Sequence, residues 1–211
     1  MNSANLTGLY CITDPDLARQ SPISIEQMVE QALLGGARII QYRDKQASPA
    51  EQHSTAHHLC QLCKQYGALF LINDDPELAS QVDAHGVHLG QTDENLANAR
   101  KILGKDKIIG ITCHDNLDLA LTAQQQGADY VAFGRFFPSN TKPKASPAPA
   151  ALLPTARKTL HIPIVAIGGI TASNSAELLS AGADMLAVIH AVFGQEDIRQ
   201  AAGEFKNLFK E

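Results

Sequence analysis

Polar and charged side chains follow directly after several short apolar runs of the chain. The run ARIIQYRDK (37 to 45) ends in Gln41, Tyr42, Arg43, Asp44 and Lys45. On an extended strand, residues two apart face the same side, so Gln41, Arg43 and Lys45 are predicted to share one space. A guanidinium and an ammonium with further donors suit a phosphate or diphosphate. The alternative is that these charges only pair with neighbours such as Asp44 on a solvated rim, which is common for surface ions.

Two carboxylates follow the next two apolar runs. Asp74 ends ALFLIND (68 to 74), and Asp93 lies in the loop after GVHLG (86 to 90). Carboxylates beside a polyphosphate repel it unless a cation lies between them. Mg²⁺ takes one or two carboxylates together with phosphate oxygens and water. We therefore interpret Asp74 and Asp93 as a magnesium site, whereas Asp75, which precedes Pro76, is predicted only to cap a helix.

Two loops later in the chain also have the composition of binding segments. Gly168 and Gly169 follow PIVAIGG (163 to 169), where backbone N–H groups could approach a second phosphate. The alternative is that the two glycines merely make the turn from strand to helix. The loop at 135 to 149 is long and rich in proline and polar residues, and it is predicted to be functional. It carries four candidate side chains: Ser139, Asn140, Thr141 and Lys142.

Eight apolar, β-branched runs alternate with segments of helical spacing and must position these residues. The runs span 8 to 14, 37 to 45, 68 to 74, 86 to 90, 107 to 114, 130 to 134, 163 to 169 and 185 to 190. Strict alternation predicts a parallel sheet, and eight continuous apolar strands favour a closed (β/α)8 barrel over a doubly wound open sheet. We expect residues 1 to 211 to form one barrel domain, with the candidate residues at the carboxyl ends of its strands.

A weak internal echo supports a repeated βα unit. GGAR precedes the second run, GADY the sixth and GADM the eighth. Each places a glycine and an alanine between a predicted helix and the next strand.

The composition excludes several classes of partner. The chain of 211 residues is 45% hydrophobic and 18% charged, with a net charge of −5 and no dense basic run for a nucleic acid. No segment approaches the length that spans a bilayer, so we expect a soluble protein. The four cysteines do not form a disulfide pattern, which favours a reducing cytoplasm. We interpret the Cys60 and Cys63 pair as core residues of a helix rather than a metal or redox site.

Taken together and in order, five motifs resemble thiamine phosphate synthase. They are QYRDK (41 to 45), IND (72 to 74), GVHLGQTD (86 to 93), YVAFGRFFPSNTK (130 to 142) and PIVAIGGI (163 to 170). The resemblance covers essentially the whole chain. It implies a (β/α)8-barrel transferase that joins a hydroxymethylpyrimidine diphosphate to a thiazole phosphate and releases diphosphate.

The resemblance also implies a role for each matching position. The pyrimidine diphosphate would be held by Gln41, Tyr42, Arg43, Asp44, Lys45, Asn73, Thr112 and Lys142, and Mg²⁺ by Asp74 and Asp93. The thiazole phosphate would be held by Ser139, Asn140, Thr141, Gly169, Ile189 and His190. The family commonly has serine at 112 and threonine at 139, which keeps a hydroxyl at both positions. It also has serine at 190, so the contact made by His190 is left open.

These roles imply catalysis without a protein nucleophile. The aminopyrimidine would expel diphosphate, and the thiazole nitrogen would capture the resulting cation, with Arg43, Lys45 and Lys142 as the catalytic charges. Two other functions stay open: a thiazole tautomerase-like enzyme, which would need no diphosphate site, and a non-catalytic barrel that binds phosphorylated ligands. Whether the chain forms a homo-oligomer is also open.

Overall fold

Eight parallel strands close into a barrel in the order of the chain. The computed structural model describes residues 6–138, 146–149 and 151–209. Each strand pairs with the next, and β8 pairs with β1, so the open-sheet alternative is wrong and the predicted (β/α)8 barrel is confirmed. The strands are β1 (Gly8–Ile12), β2 (Ile39–Tyr42), β3 (Leu69–Asn73), β4 (Gly86–Leu89), β5 (Ile108–His114), β6 (Tyr130–Phe133), β7 (Ile164–Ile167) and β8 (Met185–Val188).

Helices connect the strands and cover the outside of the barrel. Within the described residues they are α1 (Pro15–Gln20), α2 (Ile25–Leu34), α3 (Pro49–Gln65), α4 (Pro76–Gln81), α5 (Leu96–Leu103), α6 (Leu117–Gln125), α7 (Leu152–Thr159), α8 (Ala176–Ser180), α9 (His190–Phe193) and α10 (Ile198–Lys206), with a 3₁₀ turn at Ala172–Asn174. Ser24 and Ser48 close capping boxes at the starts of α2 and α3. None of the helices described is both long and apolar enough to cross a membrane.

Alternation along each strand divides the core into two layers. On β2, Ile39 lies in the cluster inside the barrel, while Ile40 packs between the barrel and the helices. Both layers are apolar, as expected for parallel strands that are covered on both faces. A polar side chain that faces inward is therefore the exception.

The sequence echo before β6 and β8 corresponds to one structural unit used twice. Asp129 accepts hydrogen bonds from the backbone N–H of Ile109 at 2.8 Å and from Arg100 at 2.7 Å. Asp184 accepts the equivalent bonds from Ile164 and Arg157, both at 2.8 Å. In each case a carboxylate just before one strand fixes the start of the preceding strand to the helix that leads into it. Gly127 and Gly182, both at positive φ, provide the turns before the two carboxylates.

We predict that Asp129→Ala and Asp184→Ala each lower the free energy of unfolding by about 1–2 kcal/mol. Each substitution removes an acceptor from a backbone N–H and from an arginine, and partial exposure keeps the loss moderate. The two sites share no partner, so the double variant should show the sum within about 0.5 kcal/mol. Urea unfolding measures all three values, with Glu204→Ala on the exposed face of α10 as the control. Losses no larger than that of the control would contradict the assigned role.

Candidate functional site

A cavity of about 450 Å³ opens at the carboxyl ends of β1, β2 and β8. Its wall consists of the segment that begins α1, the segment after β2 and the first residue of α9: Asp14, Pro15, Asp16, Leu17, Gln20, Arg43, Lys45, Gln46 and His190. Arg19 joins two parts of the wall, because its guanidinium donates to Asp16 and to Gln46 at 2.5 and 2.6 Å. No pattern in the sequence indicated that α1 lines the cavity.

Arg43 and Lys45 reach this cavity by a route that differs from the predicted one. Strand β2 ends at Tyr42, so the alternation expected for residues 41, 43 and 45 is wrong beyond Gln41. Arg43 is instead fixed by the buried Thr13, which accepts from its backbone N–H at 2.9 Å and donates to its carbonyl at 3.3 Å. The two cations still line one space, as predicted, whereas Gln41 points into the barrel interior.

Lys45, Asp74 and Asp93 form a charge cluster at the same end of the barrel. The Lys45 ammonium lies 2.7 Å from the Asp74 carboxylate, which is about a quarter exposed. The Asp93 carboxyl is hydrogen-bonded to that of Asp74, and burial together with this bond raises the pKa of Asp93. Gly90 donates its backbone N–H to Asp93 at 2.8 Å, which closes a turn within the loop after β4.

The two adjacent carboxylates fit the donor set of a magnesium ion. Two like charges in contact are unfavourable without a proton or a cation between them, and hard oxygen ligands are those that Mg²⁺ prefers. Across residues 6–138, 146–149 and 151–209, no group of three or more histidine, cysteine or acidic side chains forms a larger metal site. A magnesium ion bound at this end of the barrel would be held by Asp74 and Asp93.

A chain of hydrogen bonds runs from the barrel interior to the mouth. Gln41 donates to the Tyr10 hydroxyl at 2.5 Å, which lies 3.0 Å from the Tyr130 hydroxyl. Tyr130 is 2.8 Å from Nδ1 of His88, and Nε2 of His88 is 2.8 Å from the Thr112 hydroxyl. Sequence reasoning did not assign Tyr10, Tyr130 or His88 to the site. Alternation in GVHLG was the available signal for His88, because its neighbours Val87 and Leu89 pack outward.

Asn73 and Thr112 both belong to this inward-facing set. Asn73 ends β3 on the same face as the interior residue Leu71, and it is in register with His88. Thr112 lies two residues beyond the point where β5 is in register with His88. Both predicted residues therefore lie in the part of the interior nearest the carboxyl ends of the strands.

The side chains of Tyr42 and Asp44 do not face the cavity, which corrects two predicted contacts. Tyr42 is 3% exposed and packs between the barrel and the helices, where burial raises its pKa to about 12. The Asp44 carboxylate accepts from the backbone N–H groups of Gln46 and Ala47 at 2.8 and 3.1 Å. Their side chains therefore shape the segment after β2 rather than hold a ligand.

The two glycines after β7 receive the segment that follows β6. A Cβ on Gly169 would lie 2.3 Å from the carbonyl oxygen of Pro138, and one on Gly168 would lie 2.3 Å from Cβ of Arg135. Phe137 also donates its backbone N–H to the Gly168 carbonyl at 3.0 Å. This close approach is a structural reason for the pair, and it brings the start of the loop after β6 to the mouth.

Ile189 and His190 directly follow β8, the last strand of the barrel. Ile189 packs partly against the interior cluster, and His190 is exposed and lines the cavity beside Arg43 and Lys45. The remaining candidates, Ser139, Asn140, Thr141 and Lys142, lie outside the described residues.

Comparisons with known proteins show the family of this chain. Residues 9–192 match the family described as thiamine monophosphate synthase. The chain belongs to this family. Thiamine-phosphate synthases of Thioalkalivibrio sulfidiphilus and Alcanivorax borkumensis are 52% and 51% identical over 208 residues. These alignments cover 97% of this chain in both cases, and 96% and 95% of the two relatives.

A solved structure extends the likeness to three dimensions. The thiamine phosphate pyrophosphorylase of Pyrococcus furiosus superposes with a TM-score of 0.87 at 38% identity, covering 98% of this chain and 97% of that one. The resemblance inferred from the five motifs is thereby confirmed. The stretch that matches the thiamine monophosphate synthase family contains every candidate residue of the site.

We predict that Asp93→Asn weakens Mg²⁺ binding by at least about tenfold, the loss seen when even the support of a metal ligand is removed. Titration calorimetry with Mg²⁺ in the presence of inorganic diphosphate measures the effect. Asparagine can still accept from Gly90, so circular dichroism should show an unchanged fold. Asp75→Asn is the matched control, because Asp75 only caps α4. Unchanged Mg²⁺ affinity, or loss of folding, would rule out the metal role of Asp93.

Proposed function

We propose that this chain joins a hydroxymethylpyrimidine diphosphate to a thiazole phosphate, giving thiamine phosphate and releasing diphosphate. The observation that carries the proposal is the cluster of Lys45, Asp74 and Asp93 beside Arg43 at the mouth of the barrel. Cations and metal-binding carboxylates together suit a diphosphate that must leave as an anion. The family membership supplies the identity of the two substrates.

The diphosphate end of the first substrate would lie against Arg43 and Lys45. The guanidinium of Arg43 presents a planar fork of donors to phosphate oxygens, and its backbone is held on both sides by Thr13. Lys142 would add a third cation from the loop after β6. Bound Mg²⁺, held by Asp74 and Asp93, would neutralise charge on the departing diphosphate.

The two organic rings would lie next to each other beside this charge cluster, because the thiazole nitrogen must reach the pyrimidine methylene. Gln41 and Asn73 face the barrel interior and would receive the pyrimidine ring, whose nitrogens need donors and acceptors. Thr112 would donate to an oxygen of the diphosphate. The thiazole phosphate would lie near Gly169, Ile189 and His190, with Ser139, Asn140 and Thr141 from the same loop as Lys142. His190 lines the cavity beside Arg43, and we propose that its ring donates to a phosphate oxygen.

The reaction then needs no nucleophile from the protein. The C–O bond between the pyrimidine methylene and the diphosphate breaks, and its electron pair leaves with the diphosphate. The thiazole nitrogen lone pair then forms the new C–N bond. All four cysteines are buried and free. Burial raises the pKa of Cys11 and of Cys113, the two on strands, so neither supplies a thiolate. Catalysis consists of stabilising the leaving group and aligning the two substrates.

The cellular location and the extent of the catalytic domain are also proposed. We place the reaction in the cytoplasm, which the four free cysteines support, because disulfides are rare there. We also infer that residues 1 to 211 act as one catalytic domain, since the closed barrel takes strands from Gly8 to Val188.

Mixing the purified protein with both substrates tests this function. We expect thiamine phosphate and diphosphate to appear in equal amounts, and only when Mg²⁺ is present. A tautomerase-like enzyme would change the thiazole phosphate alone and release no diphosphate, and a non-catalytic barrel would bind ligands without turnover. Either result would overturn the proposal.

We predict that Arg43→Ala lowers kcat/KM by about 10²-fold, the loss typical when a preorganised donor to developing charge is removed. Arg38→Ala is the matched control, because Arg38 precedes the same strand at the opposite end of the barrel and is exposed. Steady-state kinetics of diphosphate release measures both variants. If Arg43→Ala loses no more activity than Arg38→Ala, Arg43 does not stabilise the leaving group.

A further inference from the structure

The hydrogen-bonded chain inside the barrel has a direction that its donors determine. The Gln41 nitrogen can only donate, so the Tyr10 hydroxyl accepts from it. Tyr10 has one proton of its own and is fully buried, and the Tyr130 hydroxyl is the acceptor beside it. A buried hydroxyl proton without an acceptor is costly, so Tyr10 donates to Tyr130.

The same reasoning from donors and acceptors determines the direction of the next two hydrogen bonds. With its oxygen accepting from Tyr10, Tyr130 donates its proton to Nδ1 of His88, 2.8 Å away. A ring nitrogen that accepts has no proton, so the ring proton of His88 is on Nε2. Nε2 then donates to the Thr112 hydroxyl at 2.8 Å. The proton of Thr112 is not used in that bond.

We propose that Tyr130 is a positioning residue, which holds His88 in the tautomer protonated at Nε2 and so turns the hydroxyl proton of Thr112 toward the mouth. Thr112 is thereby prepared to donate to an oxygen of a bound ligand. That the ligand is the pyrimidine diphosphate rests on the proposed function, whereas the tautomer of His88 does not.

Packing keeps the His88 ring in the orientation that this role requires. The rings of His88 and Tyr130 are stacked, with centroids 5.6 Å apart and planes 20° apart. Tyr10 meets Tyr130 edge to face at 6.2 Å, which fixes the Tyr130 ring in turn. Burial raises the pKa of both tyrosines, so both hydroxyls keep their protons.

Nitrogen-15 NMR of the histidine rings tests the tautomer in the ligand-free protein. A spectrum of His88→Gln identifies the His88 signals by their loss. We expect wild-type His88 to show an unprotonated Nδ1 and a protonated Nε2. A proton on Nδ1 would overturn the proposal, because the chain would then run in the opposite direction.

Two variants that each remove one buried hydroxyl separate positioning from packing. In Tyr130→Phe, Nδ1 of His88 loses its donor, and we expect a mixture of tautomers. In Tyr10→Phe, Tyr130 can still donate to His88, so the wild-type tautomer should persist. A wild-type spectrum in Tyr130→Phe, or the same change in both variants, would contradict the assignment.

A kinetic double-mutant cycle tests whether Tyr130 acts through Thr112. We expect Tyr130→Phe to lower kcat by about tenfold, the value of one neutral hydrogen bond. In a Thr112→Val background, the same substitution should cost less than about twofold, since the hydroxyl that it orients is gone. Thr112→Ser keeps the hydroxyl and should restore the tenfold effect.

An equal effect of Tyr130→Phe in the wild-type, Thr112→Val and Thr112→Ser backgrounds would mean that Tyr130 has a structural role only. If Tyr130→Phe does not fold, the wild-type tautomer decides the proposal. Absence of thiamine phosphate synthesis in the wild-type protein would refute the proposed function but leave the NMR result intact, so the two failures are distinguishable.

Discussion

The pairing of β8 with β1 is the constraint on which the rest of the structure depends. It turns a sheet with two edges into a closed ring, so segments far apart in the chain meet at one mouth. Arg43 follows β2 and His190 follows β8, yet closure brings both to the wall of one cavity. The same closure places inward-facing residues of β1, β2, β4, β5 and β6 in one hydrogen-bonded chain.

Closure of the barrel also brings two carboxylates together at the mouth, where their like charges are unfavourable without a counterion. Asp74 and Asp93 are brought into contact, and burial together with this contact raises the pKa of Asp93. Lys45 offsets part of the repulsion through its ion pair with Asp74. A divalent cation and a diphosphate would complete the balance, because the metal meets the carboxylates and the cationic side chains meet the anion. The charges of the mouth would then be complementary to those of a metal ion and its diphosphate.

Much of the fold could be predicted from the sequence, because its signals are local. Apolar runs and the helical segments between them identified all eight strands, and the GADY and GADM echo corresponds to equivalent Asp129 and Asp184 contacts. Strand ends were less accurate. The end of β2 at Tyr42 depends on where β1 and β3 stop pairing with it, which no local pattern contains.

The site was harder to predict than the fold for the same reason. The charged residues Arg43, Lys45 and Asp74 stand out by type, but Tyr42 and Asp44 beside them serve packing and a turn. Tyr10 and Tyr130 resemble ordinary core residues until register puts their hydroxyls 3.0 Å apart. Contacts made across 120 residues of chain follow from barrel closure alone.

Anomalous diffraction from crystals grown with Mn²⁺, in place of Mg²⁺, and inorganic diphosphate tests directly whether Asp74 and Asp93 hold a metal at the mouth. We expect one manganese peak that contacts the carboxylates of Asp74 and Asp93 at about 2 Å. The diphosphate should lie between this ion and the side chains of Arg43 and Lys45. A diphosphate bound elsewhere on the molecule, or bound at the mouth with no metal at these two carboxylates, would show that Asp74 and Asp93 do not form a metal–diphosphate site.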